Sequence, residues 1–126
     1  MKYKKICFQY KKKDNKKICF QYKKKDYKIE VKNCNFIQRF VGLMFIRKEK
    51  AKALLFDFGK NTNTPIHSYF VFFDFIAIWT DEFGNVLEVK LVRPFNLIVR
   101  PKKPFSKLIE IPLNKNYRDF SVLVGN

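Results

Sequence analysis

Among its 126 residues the chain has one histidine, His67, one tryptophan, Trp79, and three cysteines, Cys7, Cys19 and Cys34. Each scarcity removes a class of function. A lone histidine, no Cys-x-x-Cys pair and scattered carboxylates do not make the ligand set of a zinc site, so no metal and no other cofactor is expected. Two of the three cysteines lie in duplicated sequence, so the odd count reflects copying rather than a disulfide framework. Long apolar runs are missing as well. The most apolar segment, Tyr69 to Trp79, contains Asp74 and is well short of the roughly 20 residues that cross a bilayer as a helix. No apolar stretch of about 7 to 15 residues follows the basic start, as a secretory signal would require. A cytoplasmic protein is therefore expected. The Gly59-Lys60 pair is not a phosphate loop, because Leu54 stands where the upstream glycine belongs and Asn61 follows the lysine.

Arginine is scarce too, 5 against 22 lysines. Arginine supplies the rigid fork that grips phosphates and base edges with defined geometry, whereas lysine is a flexible point charge. Residues 1–28 carry +10 of the formal charge of +16, so the basic character belongs mostly to the N-terminus. That segment is a tandem repeat of period 12: KKICFQYKKKD runs from Lys4 to Asp14 and returns from Lys16 to Asp26. Within each copy Ile, Phe and Tyr alternate with Cys and Gln, as in a short half-buried strand. Two copies are too few for a solenoid. The composition changes at Tyr27, which divides the chain into a basic duplicated extension, residues 1–26, and one β-rich domain, residues 27–126. A domain that uses one strand of the repeat has no evident place for its identical copy, so the first copy is expected to be loose.

What is plentiful is core material, with 47% hydrophobic residues and 15 phenylalanines. Tyr27 to Val31 alternates as a first strand. Phe36, Phe40 and Leu43, with Ile37, Val41 and Met44, follow helical spacing and predict one short helix near residues 35–44, capped by Asn33 or Asn35. Ala53 to Phe58 reads as a strand, Gly59 to Pro65 as a polar loop. Both parities of Tyr69 to Trp79 are apolar, which predicts a strand covered on both faces. Asp81 to Asn85 forms a turn with Gly84, and Val86 to Val92 returns as an alternating strand, completing a central hairpin. Phe95 to Arg100, Lys107 to Ile111 and Asp119 to Val124 read as further strands. About seven short strands and one helix predict a mainly β fold, a small β-sandwich or jelly-roll-like barrel.

RFVGLMF at Arg39 to Phe45, LLFDF at Leu54 to Phe58, IHSYF at Ile66 to Phe70, TDEFGNVLEV at Thr80 to Val89, LVRPF at Leu91 to Phe95 and LIEIP at Leu108 to Pro112 occur in one order. Over residues 27–124 this string resembles the domain of unknown function 192 family, also called uncharacterised protein family 0127. The resemblance implies a compact sandwich related to jelly rolls and no particular chemistry. The chain departs from it at Val71, where the family has Met, and at Asp74 and Ile76, where it has Pro and Asp.

No set of residues spells out a reaction. His67 is the one side chain whose ordinary pKa suits acid or base work near neutrality, and it adjoins the polar loop. Asp74, set in the apolar arm, must be hydrogen-bonded, paired or protonated if buried. His67, Asp74, Asn61 and Asn63 are thus the candidate pocket residues. Glu88 and Glu110 are expected to face solvent or to pair with Lys and Arg. Three functions follow: a ligand-binding or accessory module with a pocket near His67; nonspecific contact with nucleic acid or another polyanion through Lys11, Lys12, Lys13, Lys23, Lys24 and Lys25, with the interleaved aromatics stacking on bases; and an enzyme relying on His67 with Asp74 or Cys34.

Overall fold

A computed structural model describes residues 7–12, 15–34, 42–68, 70–96 and 98–125. The chain is mainly β. Seven strands, β1 (Cys7–Lys12), β2 (Asn15–Tyr22), β3 (Lys25–Asn33), β4 (Leu54–Thr62), β5 (Phe75–Thr80), β6 (Val86–Val92) and β7 (Phe105–Pro112), form one curled sheet in the order β1-β2-β3-β4-β7-β5-β6. Every pairing is antiparallel except the short parallel contact of Lys32 and Asn33 with Leu54 and Leu55. Both copies of the repeat contribute strands, and the boundary drawn from composition falls inside β3. The eight residues of β2 all pair with β3, while β1 lies at the sheet edge with β2 as its neighbour.

The two-sided apolar pattern of the central arm becomes β5, buried along its whole length. Its odd residues, Phe75, Ala77 and Trp79, enter one core cluster and its even residues, Ile76 and Ile78, the other, as the period of two demands. β7 lies between β4 and β5 and divides in the same way, Leu108 to the first side, Ile109 and Ile111 to the second. Ile18 and Phe20 of β2 and Tyr27, Ile29 and Val31 of β3 join the second cluster, with Ala53 and Leu55.

Several boundaries differ from the sequence reading. Residues 70–74, expected to extend the strand, are irregular, and Val71 N donates to Ser68 O at 3.0 Å in a turn there. Of the strand expected from Phe95 to Arg100, Phe95 lies in a turn, residue 97 lies outside the described residues, and Val99 makes a single bridge with Ile66. Asp119 to Val124 is not a strand but part of a 3₁₀ segment, Lys115–Val124. Asn114 caps that segment through its side chain, which accepts from Asn116 N at 2.9 Å, and the amide of Asn114 donates to Lys48 O and Ala51 O at 2.8 and 3.1 Å. The segment is kinked at Tyr117 (φ −126°, ψ 29°), and beyond the kink Phe120 and Leu123, three residues apart, lie on one side of a 3₁₀ turn. All three pack on the second cluster, and the Tyr117 hydroxyl accepts from Ala53 N at 2.9 Å. Of the helix expected near 35–44, residues 35–41 lie outside the described residues, and 42–45 form a turn.

Candidate ligand-binding site

One face of the sheet holds a cavity of about 610 Å³. Its floor and walls are the buried Leu43, Phe56, Val71, Phe75 and Leu108, together with Glu110. Around them stand the half-buried Phe58, Thr62 and Ile66 and the exposed Lys60, Thr64, Pro65 and His67. An apolar interior with few polar groups is the usual form of a small-molecule site.

The elements that frame it follow from local sequence. β4 carries more residues than β7 opposes: Asp57 pairs with Lys107, whereas Thr62 pairs with Phe105. Gly59 takes a left-handed φ of 74° within this bulge, and its amide donates to Asp57 Oδ1 at 2.9 Å. The protruding end of β4 carries Lys60 and Thr62 to the cavity edge. The opposite edge is pinned by Ser68, whose hydroxyl donates to Arg93 O at 2.5 Å and accepts from Asn96 N at 2.7 Å. Phe45 N donates to Phe70 O at 3.0 Å, and the two rings stack with centroids 4.9 Å apart. Phe45, Phe70 and Phe95 each hold φ near +60°, a conformation that costs a residue with a Cβ about 1 kcal/mol or more. These loops are therefore set by long-range contacts rather than by local preference.

Glu110 is the polar group at the bottom. It is 6% exposed, and the sequence expectation that it faces solvent is wrong for a physical reason. β7 is the inner strand between β4 and β5, so Glu110 sits between Leu54 and Ala77 with both faces of its strand covered. Among the described residues no hydrogen-bond donor or cation reaches its carboxyl. Burial pushes that carboxyl up to about 8, so it is largely protonated at neutral pH. Gly42 lies over it: a Cβ there would come 3.5 Å from Glu110 Oε1. Cys34 is close by at the end of β3. Burial first, then the Glu110 charge, push its thiol up to about 11, against the opposing effects of Lys32 and the Leu55 backbone. A thiol so raised is no nucleophile near neutrality.

Of the residues singled out in the sequence, His67 lines the cavity. Asn61 and Asn63 are exposed and do not line it, because alternation along the chain gives Lys60, Thr62 and Thr64 to the cavity instead. Asp74 is half-buried outside the lining, where its carbonyl accepts from Leu113 N at 3.0 Å. Lys23 and Lys24 form the exposed two-residue turn between β2 and β3, Lys25 begins β3, Lys11 and Lys12 belong to β1, and Lys13 lies outside the described residues. The expectation that Glu88 is paired agrees with its 3.6 Å contact to Lys90. Among the described residues no group of three His, Cys, Asp or Glu side chains is placed to hold a metal ion, and no helix is long and apolar enough to cross a membrane.

No family profile matches the chain. A protein of Pyrococcus abyssi assigned to uncharacterised protein family 0127 is 31% identical over 86 residues, covering 68% of this chain and 72% of the relative. The chain belongs to uncharacterised protein family 0127. A second family 0127 protein, from Thermococcus kodakarensis, is 35% identical over 80 residues, 62% of this chain, and the chain spans about half of that relative's length. A crystal structure from Sinorhizobium meliloti 1021, of a protein designated a candidate transcription regulator, superposes with a TM-score of 0.66 over 89% of this chain and 83% of its own, at 16% identity. At that identity the likeness shows the fold, so this family 0127 chain shares the architecture of a solved protein.

Proposed function

We propose that this protein binds a small, largely apolar molecule in the cavity above Glu110. The observation that carries the reading is an apolar cavity of about 610 Å³ that holds at its floor a single carboxyl with no donor or cation reaching it among the described residues. Apolar wall that the protein's own side chains leave uncovered adds nothing to folding, and a ligand that covers it and meets the carboxyl removes that surface from water. Among the described residues none near the carboxyl is poised as a nucleophile, so the reading is of binding rather than turnover.

The test uses the apolar fluorescent anion 8-anilinonaphthalene-1-sulfonate. Val71→Phe puts a ring into the cavity and should weaken dye binding at least tenfold while the melting temperature moves by only a few degrees. Undiminished dye affinity in a folded Val71→Phe protein would sink the reading, because the dye would then be held elsewhere, for example by the exposed Phe45, Phe72 and Phe95.

A second reading, nonspecific contact with polyanions, is supported by the exposed Lys23, Lys24 and Lys25 at the tip of the β2–β3 hairpin. Such contact would be strongly salt-dependent.

A further inference from the structure

Resting on that reading, the geometry assigns the site a ligand with two distinct ends: an uncharged oxygen acceptor that meets Glu110 at the floor, and an anionic group held at the rim by Lys60 and His67, joined by an apolar body. We propose this class, of which a short keto acid is the simplest member.

The floor decides the first end. Glu110 is 94% buried, and its neighbours on the same face of the sheet are Leu54 and Ala77, neither of which titrates. From β3 it faces Cys34, whose thiol is neutral; from the loop before β4 it faces Gly42 and Leu43; and the charged or titratable groups on the cavity wall, Lys60 and His67, are exposed at the rim. A carboxyl in those surroundings keeps its proton at neutrality and so offers an O–H donor to a carbonyl or ether oxygen. A ligand ammonium would find a carboxylate only after that proton had left.

The rim decides the second end. Lys60 and His67 are joined there by Thr62 and Thr64, whose hydroxyls share a 2.6 Å hydrogen bond and leave one hydroxyl donor between them, and among the described residues the lining contains no carboxylate other than Glu110. On a chain with a formal charge of +16 the approach of a cation is opposed and that of an anion favoured.

The experiment measures displacement of 8-anilinonaphthalene-1-sulfonate from the full-length protein by three carboxylates of matched length, octanoate, 7-oxooctanoate and the zwitterion 8-aminooctanoate, at pH 7 and pH 9. At pH 7 the oxo acid should displace the dye at roughly one-tenth of the concentration that octanoate needs, the gain expected of one well-made hydrogen bond in a dry site. At pH 9, where the Glu110 O–H is mostly lost, that advantage should shrink by at least threefold. Glu110→Gln keeps a donor that does not titrate, so its preference for the oxo acid should be the same at both pH values; this separates Glu110 from titration at the rim. A preference for the amino acid that grows at pH 9 would overturn the assignment in favour of a cation site. Equal displacement by all three would show that Glu110 does not meet the ligand, leaving the cavity itself intact as a binding site. Failure of all three, with dye binding that ignores Val71→Phe, would defeat both the assignment and the binding reading beneath it.

Discussion

β5 and β7 send one row of side chains to each face of the same sheet, yet the two faces end differently. On one, Ile76, Ile78, Ile109 and Ile111 meet the β2–β3 hairpin and a 3₁₀ segment whose Tyr117, Phe120 and Leu123 lie over them. On the other, Phe75, Leu108 and Glu110 meet loops that leave about 610 Å³ unfilled. The filled face is closed by regular strands and by a segment fastened through Asn114 and Tyr117. The hollow face is bounded by a bulge and by turns in which phenylalanines hold left-handed backbone. Close packing is thus a choice made face by face, and the face that forgoes it carries the buried carboxyl.

The sharpest way to break this contrast is truncation at adjacent positions of β7. Ile109→Ala, on the filled face, removes a side chain that is 0% exposed, and should cost about 4 kcal/mol of unfolding free energy. Leu108→Ala, one residue earlier, removes a side chain that is 1% exposed but lines the cavity, so the space it vacates joins an existing void; about 2 kcal/mol is expected. Urea denaturation of both variants measures the difference, and equal losses would mean that the hollow face is packed in solution.

Next in size is the pH dependence contributed by Glu110. In the folded protein the carboxyl holds its proton up to about pH 8, whereas an unburied glutamate releases it near 4.5. Between those values the folded state binds more protons than the unfolded one, so this group's stabilising share is fully present below pH 4.5 and falls as pH rises towards 8. From pH 5 to pH 8 the loss should be about 3 kcal/mol relative to Glu110→Gln, which cannot ionise. If the denaturation midpoints of the two proteins run parallel over that range, Glu110 is ionised and partnered in solution.

Much of this contrast was legible in the sequence. The two apolar parities of Tyr69 to Trp79 announced a strand covered on both faces, and the position of His67 beside a polar loop marked the rim. Glu110 was misread because an isolated carboxylate in a strand ordinarily points to water. The corrective was present in Leu108 to Ile111: one parity holds Leu108 and Glu110, the other Ile109 and Ile111, so this strand too has apolar neighbours on both sides. What local sequence could not reveal is that β7 lies between β4 and β5, a pairing between segments far apart in the chain. The C-terminal segment failed for a different reason, since an every-third-residue pattern of aromatic and aliphatic side chains does not stand out among short alternating strands.

The smallest expected effect concerns how the filled face is assembled. β2 and β3, which supply Ile18, Phe20, Tyr27, Ile29 and Val31, are joined by a two-residue turn, Lys23 and Lys24, with φ of 51° and 66°. Two positive φ values are the requirement of the type I′ hairpin turn, and Asn-Gly is the pair that meets it with least strain. The turn falls within the repeat's Lys-Lys-Lys run, and neither of its residues is of the type that the turn favours. Lys24→Gly should therefore stabilise the protein by about 1 kcal/mol, the relief of a left-handed Cβ less the added entropy of glycine in the unfolded chain. Thermal unfolding should show a rise of a few degrees. A fall in melting temperature would mean that Lys24 makes contacts worth more than its backbone costs, and that the hairpin on the filled face depends on its lysines as well as on its buried strands.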